Sequence, residues 1–245
     1  MCSSTDFILP QTTTVFVAHA RQLVDLPPPR QASYHAIVLE NQTQIDYFRA
    51  VKKALRAWKL VLGERTGFSR LGATSGDPVK IKERDEDLEL DRSYRDLTEY
   101  LRLTAEKIEN GQGQTEEGRN LCIMLVDDAR NIQALSIAAV KASQLYVRIV
   151  ITAPWNLKMN ATVPETHQEL VVRGAGTAMM LALYQIAQAK SLTELRLKPM
   201  DRSYTFYKDT IAMQEDTSGE FFYSVVSDQV PVALQAATDR LSLIM

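Results

Sequence analysis

A glycine-rich turn that opens directly into a helix is the feature that most constrains this chain. The segment Arg173-Gly174-Ala175-Gly176-Thr177-Ala178 contains two closely spaced glycines, and the pattern from Thr177 to Ala189 is strongly helical. The first N–H groups of a helix have no intrahelical partner, and they lie at the positive end of its dipole. Arg173 adds a full positive charge, and glycine lets the backbone approach a ligand closely. The segment therefore predicts a site for a phosphate-bearing ligand.

Three kinds of phosphate loop can be compared with this segment. A Walker loop requires Lys-Ser or Lys-Thr after its second glycine, where this chain has Thr177-Ala178. A Rossmann loop requires a small residue where Met179 stands, and its ribose-binding acid belongs at the end of a strand, whereas Glu194 begins one. The third pattern, Arg/Gln-x-x-Gly-x-Gly/Ala, is satisfied by Arg173, Gly176 and Ala178.

Composition narrows the class of protein. The chain has 245 residues, of which 45% are hydrophobic, so it can build a sizeable core. A net charge of −2 gives no argument for binding nucleic acid or an anionic membrane. Cys2 and Cys122 are far apart and the three histidines are scattered, which favours neither a disulfide framework nor a metal site.

The same sequence features bear on location. No apolar stretch approaches the length of a membrane span, and the first ten residues lack the pattern of a signal peptide. We therefore expect a cytoplasmic protein without a membrane partner. The oligomeric state is left open by the sequence, a homodimer included.

Hydrophobic periodicity divides the chain into three parts. Residues 1–30 are expected to be an N-terminal extension with an extra strand, Thr13–Ala18, and residues 229–245 a helical tail packed on the domain. Residues 31–228 are expected to form one domain, in which Phe68 to Asp87 is a polar loop ending in a solvated charge run. The predicted strands and helices of this domain are Tyr34–Leu39 (strand), Thr43–Leu62 and Leu90–Glu109 (helices), Leu121–Val126, Ile132–Val140 and Leu145–Thr152 (a meander of strands), Thr177–Ala189 (helix), Leu195–Leu197 (strand), Tyr204–Ile211 (short helix) and Phe221–Val226 (strand).

One face of the first predicted helix is basic, and it carries Lys52, Lys53, Arg56 and Lys59. A solvated helix face is the simpler interpretation of such a charge pattern. A nucleic-acid-binding face is the alternative, and it predicts an affinity that falls steeply with salt.

Together with the third loop pattern, this order of elements resembles the GNAT superfamily of acyl-CoA N-acyltransferases over about residues 34–226. Three local segments are also similar to family features: the turn Ala153-Pro154-Trp155-Asn156, the Phe-Tyr pair within Tyr204–Lys208, and the closing strand Phe221–Val226. The resemblance implies an α/β (α+β) fold with a mixed, mostly antiparallel central sheet and helices on both faces. It further implies a splay between the fourth and fifth core strands.

The chain departs from the family pattern at three places. The segment Leu157–Leu170 separates the fourth core strand from the glycine-rich turn, Met200 stands where many members have asparagine, and Ala212-Met213 replaces a Gly-Phe pair. These departures motivate an alternative function, a non-catalytic module that binds acyl-CoA or another protein.

The leading functional implication of the resemblance is transfer of an acetyl group from acetyl-CoA to a primary amine of a small molecule or protein, without a metal. The diphosphate of CoA would be held beside Arg173 by the amides of Gly174, Ala175, Gly176, Thr177 and Ala178. The pantetheine arm would pair with the main chain near Ile149, Val150 and Ile151. Tyr207 matches the family tyrosine that serves as the acid for the departing thiolate. No general base is defined, and the candidates are His167 and Glu169, with Glu165 nearby.

Overall fold

The structure is a computed structural model that describes residues 34–72, 78–116, 118–157, 159, 163–172, 174–200, 203–227, 231, 232 and 234. The predicted N-terminal extension and its strand lie outside these residues, as does Arg173. Of the predicted tail only Pro231, Val232 and Leu234 are described, and the side chain of Leu234 is buried in the core.

The predicted order of strands and helices is confirmed in the described part of the chain. Short helical turns cover Pro154–Asn156 and Glu165–Leu170, and a π-helical segment covers Phe206–Thr210. The longer helices and the strands are β1 (Tyr34–Leu39), α1 (Ile45–Gly72), α2 (Pro78–Glu109), β2 (Gln114–Thr115), β3 (Gly118–Asp127), β4 (Ile132–Lys141), β5 (Gln144–Thr152), α3 (Ala175–Ala189), β6 (Glu194–Leu197), β7 (Gln214–Glu215) and β8 (Phe222–Val225).

All eight strands join one sheet in the order β1-β3-β4-β5-β6-β8-β7, with β2 paired to β3. Every neighbouring pair is antiparallel except β5 and β6, which run parallel. The connection between these two strands contains α3, as a parallel pair requires. The expected mixed, mostly antiparallel sheet is thus confirmed.

Helices cover both faces of this sheet, also as expected. On one face α3 packs against strand residues such as Ala36, Ile123 and Val147. On the other face α1 and α2 pack against strand residues such as Cys122 and Ile137. Each face buries its own apolar cluster, so β3 and β4 are covered on both sides and consist almost entirely of buried residues.

The first two helices are longer than the sequence pattern predicts. Helix α1 continues past Gly63, which lies where Arg95 of α2 comes close: a Cβ there would stand 3.4 Å from Nη2 of Arg95. Helix α2 begins at Pro78, because proline is favourable in the first turn of a helix. The predicted polar loop is therefore mostly helical.

The predicted solvated charge run also needs correction, because it contributes a buried charge. Asp87 is 2% exposed and acts electrostatically on Arg65 of α1, which is equally buried. Burial lowers the pKa of Arg65 to about 10, and the charge of Asp87 opposes that shift. The attraction between these two charges favours the packing of α2 against α1.

A β-bulge divides β5 into two halves. Ile137 of β4 pairs with Ile149, but the next residue of β4, Ala138, pairs with Val147, so Arg148 is the extra residue of β5 between these two pairs. Val147 belongs to the apolar cluster under α3, whereas Ile149 belongs to the cluster under α1 and α2. The bulge thus turns the buried side chains of the strand from one face of the sheet to the other.

The pairing of β5 with β6 ends at the same place. The ladder runs from Gln144 opposite Glu194 to Val147 opposite Leu197 and goes no further. A bulge bends its strand and increases the local twist, which accounts for the separation. The expected splay lies here, between the fourth and fifth core strands when the two-residue β2 is left out of the count.

Among the described residues, the range Glu165–Ala189, which contains the short helical turn Glu165–Leu170 and α3, passes a length-and-composition test for a membrane span. This corrects the prediction that no stretch is long and apolar enough. Within the fold, 71% of its most apolar window is buried, as in a core helix of a soluble protein, so the test is weak evidence.

Candidate active site

A cavity of about 850 Å³ lies where β5 separates from β6. Its wall is built by α2, by the second half of β5, by the start of α3, by the end of β6 and by the π-helical segment. It brings together predicted site residues from three parts of the sequence, namely Ile149, Val150, Ile151, Gly174, Gly176, Thr177 and Tyr207.

The open edge of β5 forms one side of the cavity. Beyond Val147 no described strand pairs with β5 on the side of β6. The side chains of Ile149 and Ile151 are 6% and 4% exposed and pack under α1 and α2, which holds this half of the strand in place. An unpaired strand edge can accept an extended ligand through main-chain hydrogen bonds.

The start of α3 forms a second side. Gly174 is the N-cap residue with φ 83°, a left-handed conformation that favours glycine, and no side chain of the described residues caps the helix. The first intrahelical bond runs from the N–H of Ala178 to the carbonyl of Gly174 at 2.8 Å. The N–H groups of Ala175, Gly176 and Thr177 precede it and have no acceptor within the helix.

Gly176 lies at the point where this helix meets the end of β5. A Cβ on Gly176 would stand 3.7 Å from Cζ of Phe206 and 3.9 Å from Cγ2 of Thr152. The side chains of Ala175 and Ala178 are buried at 2% exposure against the sheet. At this turn the chain therefore offers backbone rather than side chains to a ligand.

Tyr207 lines the cavity from the π-helical segment. It is 9% exposed, and its ring packs edge-on against Phe206, with 5.1 Å between ring centroids. Burial raises the pKa of Tyr207 to about 12, so its hydroxyl keeps its proton at neutral pH and can donate a hydrogen bond.

The predicted base candidates lie in the short helix Glu165–Leu170. The ring of His167 stacks on Trp155, with 6.0 Å between centroids, and its Nδ1 is 2.9 Å from the hydroxyl of Thr166. Neither His167 nor Glu169 is among the residues that line the cavity. Their role as base stays a prediction.

Several residues that line the cavity were not predicted from the sequence. Glu89, Ser93 and Tyr94 line it from α2, and Asp209 lines it two residues beyond Tyr207. The helical pattern of Leu90–Glu109 could not predict a cavity there, because the cavity depends on the bulge in β5. The hydroxyl of Tyr94 donates to the carbonyl of Thr152 at 2.7 Å, and burial raises the pKa of Tyr94 well above its ordinary value.

The basic face of α1 is partly neutralised by α2. Nζ of Lys52 is 2.8 Å from the carboxylate of Glu109, and Nζ of Lys59 is 3.2 Å from that of Glu99. These pairs give the two lysines a structural role between the helices. Within the described ranges, no group of three His, Cys, Asp or Glu side chains is arranged to hold a metal ion.

Similarity to known proteins is found among solved structures. No protein-family model matches the chain, and no curated protein matches it. Among solved structures, it is similar to the PaiA N-acetyltransferase from Thermoplasma acidophilum in complex with coenzyme A, at 13% identity over 77% of this chain and 96% of that chain, with a TM-score of 0.36. Nourseothricin acetyltransferase gives 13% identity over 44% of this chain and 66% of the other, with a TM-score of 0.30.

An acetyltransferase of the GNAT family from Staphylococcus aureus gives 11% identity over 49% of this chain and 77% of the other, with a TM-score of 0.32. Such low values add no argument about activity or substrate. The mixed, mostly antiparallel sheet, the helices on both of its faces and the splay are the features that the sequence resemblance implies. The described part of the chain has a GNAT-like fold.

Proposed function

We propose that this protein is an N-acyltransferase that moves an acetyl group from acetyl-CoA to a primary amine. The observation that carries the proposal is the meeting of three features in one cavity. These are the open edge of β5, the uncapped start of α3 and the buried hydroxyl of Tyr207.

Each feature suits one part of the acyl donor. The amides at the start of α3 would hold the diphosphate of CoA, with Arg173 adjacent in sequence. The pantetheine arm contains two amide groups, and these would pair with the open half of β5 as an added strand does. The thioester would then lie near Tyr207.

The acceptor amine must lose a proton. An alkylamine has a pKa of about 10.4, so freeing it at neutral pH costs roughly 4–5 kcal/mol. The described carboxylates that line the cavity are Glu89 and Asp209, which enter from different elements. We propose that Glu89 takes the proton, directly or through water, because it lies one turn from Ser93 and Tyr94 on the α2 wall of the cavity.

Departure of CoA completes the reaction. The amine nitrogen forms a bond to the carbonyl carbon, the C–S bond breaks, and the sulfur leaves with the electron pair as a thiolate. A thiol has a pKa of about 8.5, well below the value of about 12 at Tyr207, so complete proton transfer from this tyrosine is uphill. Tyr207 would instead stabilise the thiolate by donating a hydrogen bond. The proton released by the amine balances the negative charge of the thiolate.

The test is in two steps. Isothermal titration calorimetry with acetyl-CoA measures binding, and release of free thiol in the presence of polyamines, aminoglycosides and peptide amines measures turnover. Binding together with amine-dependent thiol release is the expected result. No binding at millimolar acetyl-CoA would contradict the proposal.

A second function is favoured by one observation. Met200, which is 47% exposed, lines the cavity where many members of the resembled family have asparagine. A non-catalytic acyl-CoA-binding module would bind acetyl-CoA as tightly as an acetyltransferase does, but it would release no thiol with any amine tested.

A further inference from the structure

A buried network of hydrogen-bonded side chains lies beside the cavity and contacts the segment that precedes α3. Gln133 on β4 is fully buried. Its Oε1 accepts hydrogen bonds from Nε1 of Trp155 at 2.9 Å and from Nδ2 of Asn156 at 2.8 Å. Its Nε2 donates to Oδ2 of Asp127 at 2.8 Å. Gln133 therefore ties the turn Pro154–Asn156 to an interior strand of the sheet.

Asn156 extends this network to the glycine-rich turn. Its Oδ1 accepts a hydrogen bond from the backbone N–H of Val172 at 2.9 Å. Val172 is fully buried, and a buried backbone N–H requires a partner. Since Val172 stands two positions before Gly174, the N-cap of α3, this bond fixes the backbone just ahead of the helix.

The turn that carries Asn156 is held independently from the other side. Nη1 of Arg65 on α1 donates to the carbonyl of Pro154, and the rings of Trp58 and Trp155 meet edge to face, with 6.2 Å between centroids. Contacts with α1 and β4 thus hold the turn that contains Asn156 in place, independently of the hydrogen bond from Val172. Asn156 also lines the cavity.

We propose that Asn156 is a positioning residue for the diphosphate-binding turn. By holding Val172, it keeps the amides at the start of α3 in register with the open edge of β5. The inference rests on the proposed function in one respect, because the ligand that benefits is a diphosphate-bearing thioester or thiol such as CoA.

Two substitutions separate the two halves of the Asn156 side chain. Asn156→Ala removes both the acceptor for Val172 and the donor to Gln133. Asn156→Asp keeps an acceptor for Val172, but it replaces the donor to Gln133 by a carboxylate oxygen and adds a negative charge beside the cavity. Asn120→Ala is the matched control, since Asn120 is a buried amide on β3 that pairs opposite Ala139, away from the cavity.

Two measurements are made on each protein. Hydrogen exchange of the Val172 amide, followed by NMR in the ligand-free state, reports on the bond itself. Affinities for CoA and for pantetheine, which lacks the diphosphate, report on its consequence, and NMR titration detects even millimolar binding of pantetheine. A merely structural role would change both affinities alike or neither.

We expect Asn156→Ala to speed exchange at Val172 and to weaken CoA binding about tenfold, while the affinity for pantetheine stays unchanged. Asn156→Asp should retain most of the protection at Val172, while its added negative charge should weaken binding of CoA more than binding of pantetheine. Asn120→Ala should alter neither quantity, even if it lowers the melting temperature.

Two results would overturn the inference: wild-type exchange at Val172 in Asn156→Ala, or equal losses of affinity for CoA and pantetheine. If the wild-type protein binds no CoA, the proposed function fails. Exchange at Val172 then still decides whether Asn156 holds this backbone.

Discussion

The two halves of β5 have similar composition and different surroundings. In the first half, Gln144 to Val147 pair with β6 and turn their apolar side chains toward α3. In the second half, Ile149 and Ile151 turn toward α1 and α2, and the edge facing β6 is open. The difference arises at Arg148, the bulged residue. One extra residue thus converts a fully paired strand into a strand with a binding edge.

The largest effect is expected from Tyr207, which lines the cavity that the open half of β5 borders. Tyr207→Phe should lower turnover about 100-fold, because the departing thiolate loses its hydrogen-bond donor, and leave the affinity for acetyl-CoA unchanged. Tyr146→Phe is the control, since Tyr146 stands opposite Arg196 on the paired half and packs on Phe221. Steady-state kinetics and calorimetry measure the two quantities, and equal turnover in both variants would remove Tyr207 from the reaction.

A smaller effect is expected from strain at the start of α3. Gly174→Ala places a Cβ on a residue with φ 83°, which costs about 1–2 kcal/mol and shifts the amides that follow. We expect CoA binding to weaken about tenfold.

Gly219 offers a control with similar backbone strain outside the turn that precedes α3. Its φ is 70°, a Cβ there meets open space, and it lies in the turn between β7 and β8. Gly219→Ala should lose similar stability in urea denaturation and keep wild-type affinity for CoA. If both variants lose affinity equally, the turn before α3 has no special part in binding.

The smallest effect concerns stability at alkaline pH. The pKa of Tyr207 rises from 10.0 to about 12 on folding, because burial disfavours the phenolate. As the pH rises through this window the unfolded chain releases a proton that the folded protein keeps, so the free energy of unfolding falls.

Tyr207→Phe removes the proton that only the folded protein keeps in this pH range. The free energy of unfolding should therefore fall less steeply with pH, by about 1.4 kcal/mol per pH unit. Urea denaturation between pH 10 and 11.5, where base-driven damage is still slow, measures the slope. The buried groups Tyr94 and Cys122, whose pKa values are also raised by burial, remain in both proteins and cancel in the comparison. Parallel curves for the two proteins would show that Tyr207 is not buried as described.

Much of the fold could be predicted from local pattern. The apolar runs of β3, β4 and β5 and the glycine-rich turn before α3 carry their own signals, because strand burial and a left-handed glycine leave marks in the sequence. The order of these elements then supported the family resemblance, and that resemblance implied the sheet and its splay.

The features that could not be predicted depend on contacts between residues that are far apart in the sequence. The residues of β5 alternate between buried and half-buried along its whole length, so nothing local reveals that the buried face switches at Arg148. Likewise Asp87 lies in a charge run typical of a solvated segment, and the charge of Arg65 on another helix offsets part of the cost of burying it. The cavity residues on α2, such as Glu89 and Ser93, follow from both features.

The most direct test of the open edge is hydrogen exchange along β5, followed by NMR with and without CoA. We predict that CoA slows exchange of amides within residues 148–152 and 174–178 and leaves those of residues 144–147 unchanged, since the latter already pair with β6. Exchange that CoA leaves unaltered in both halves, or slows equally in both, would contradict the account.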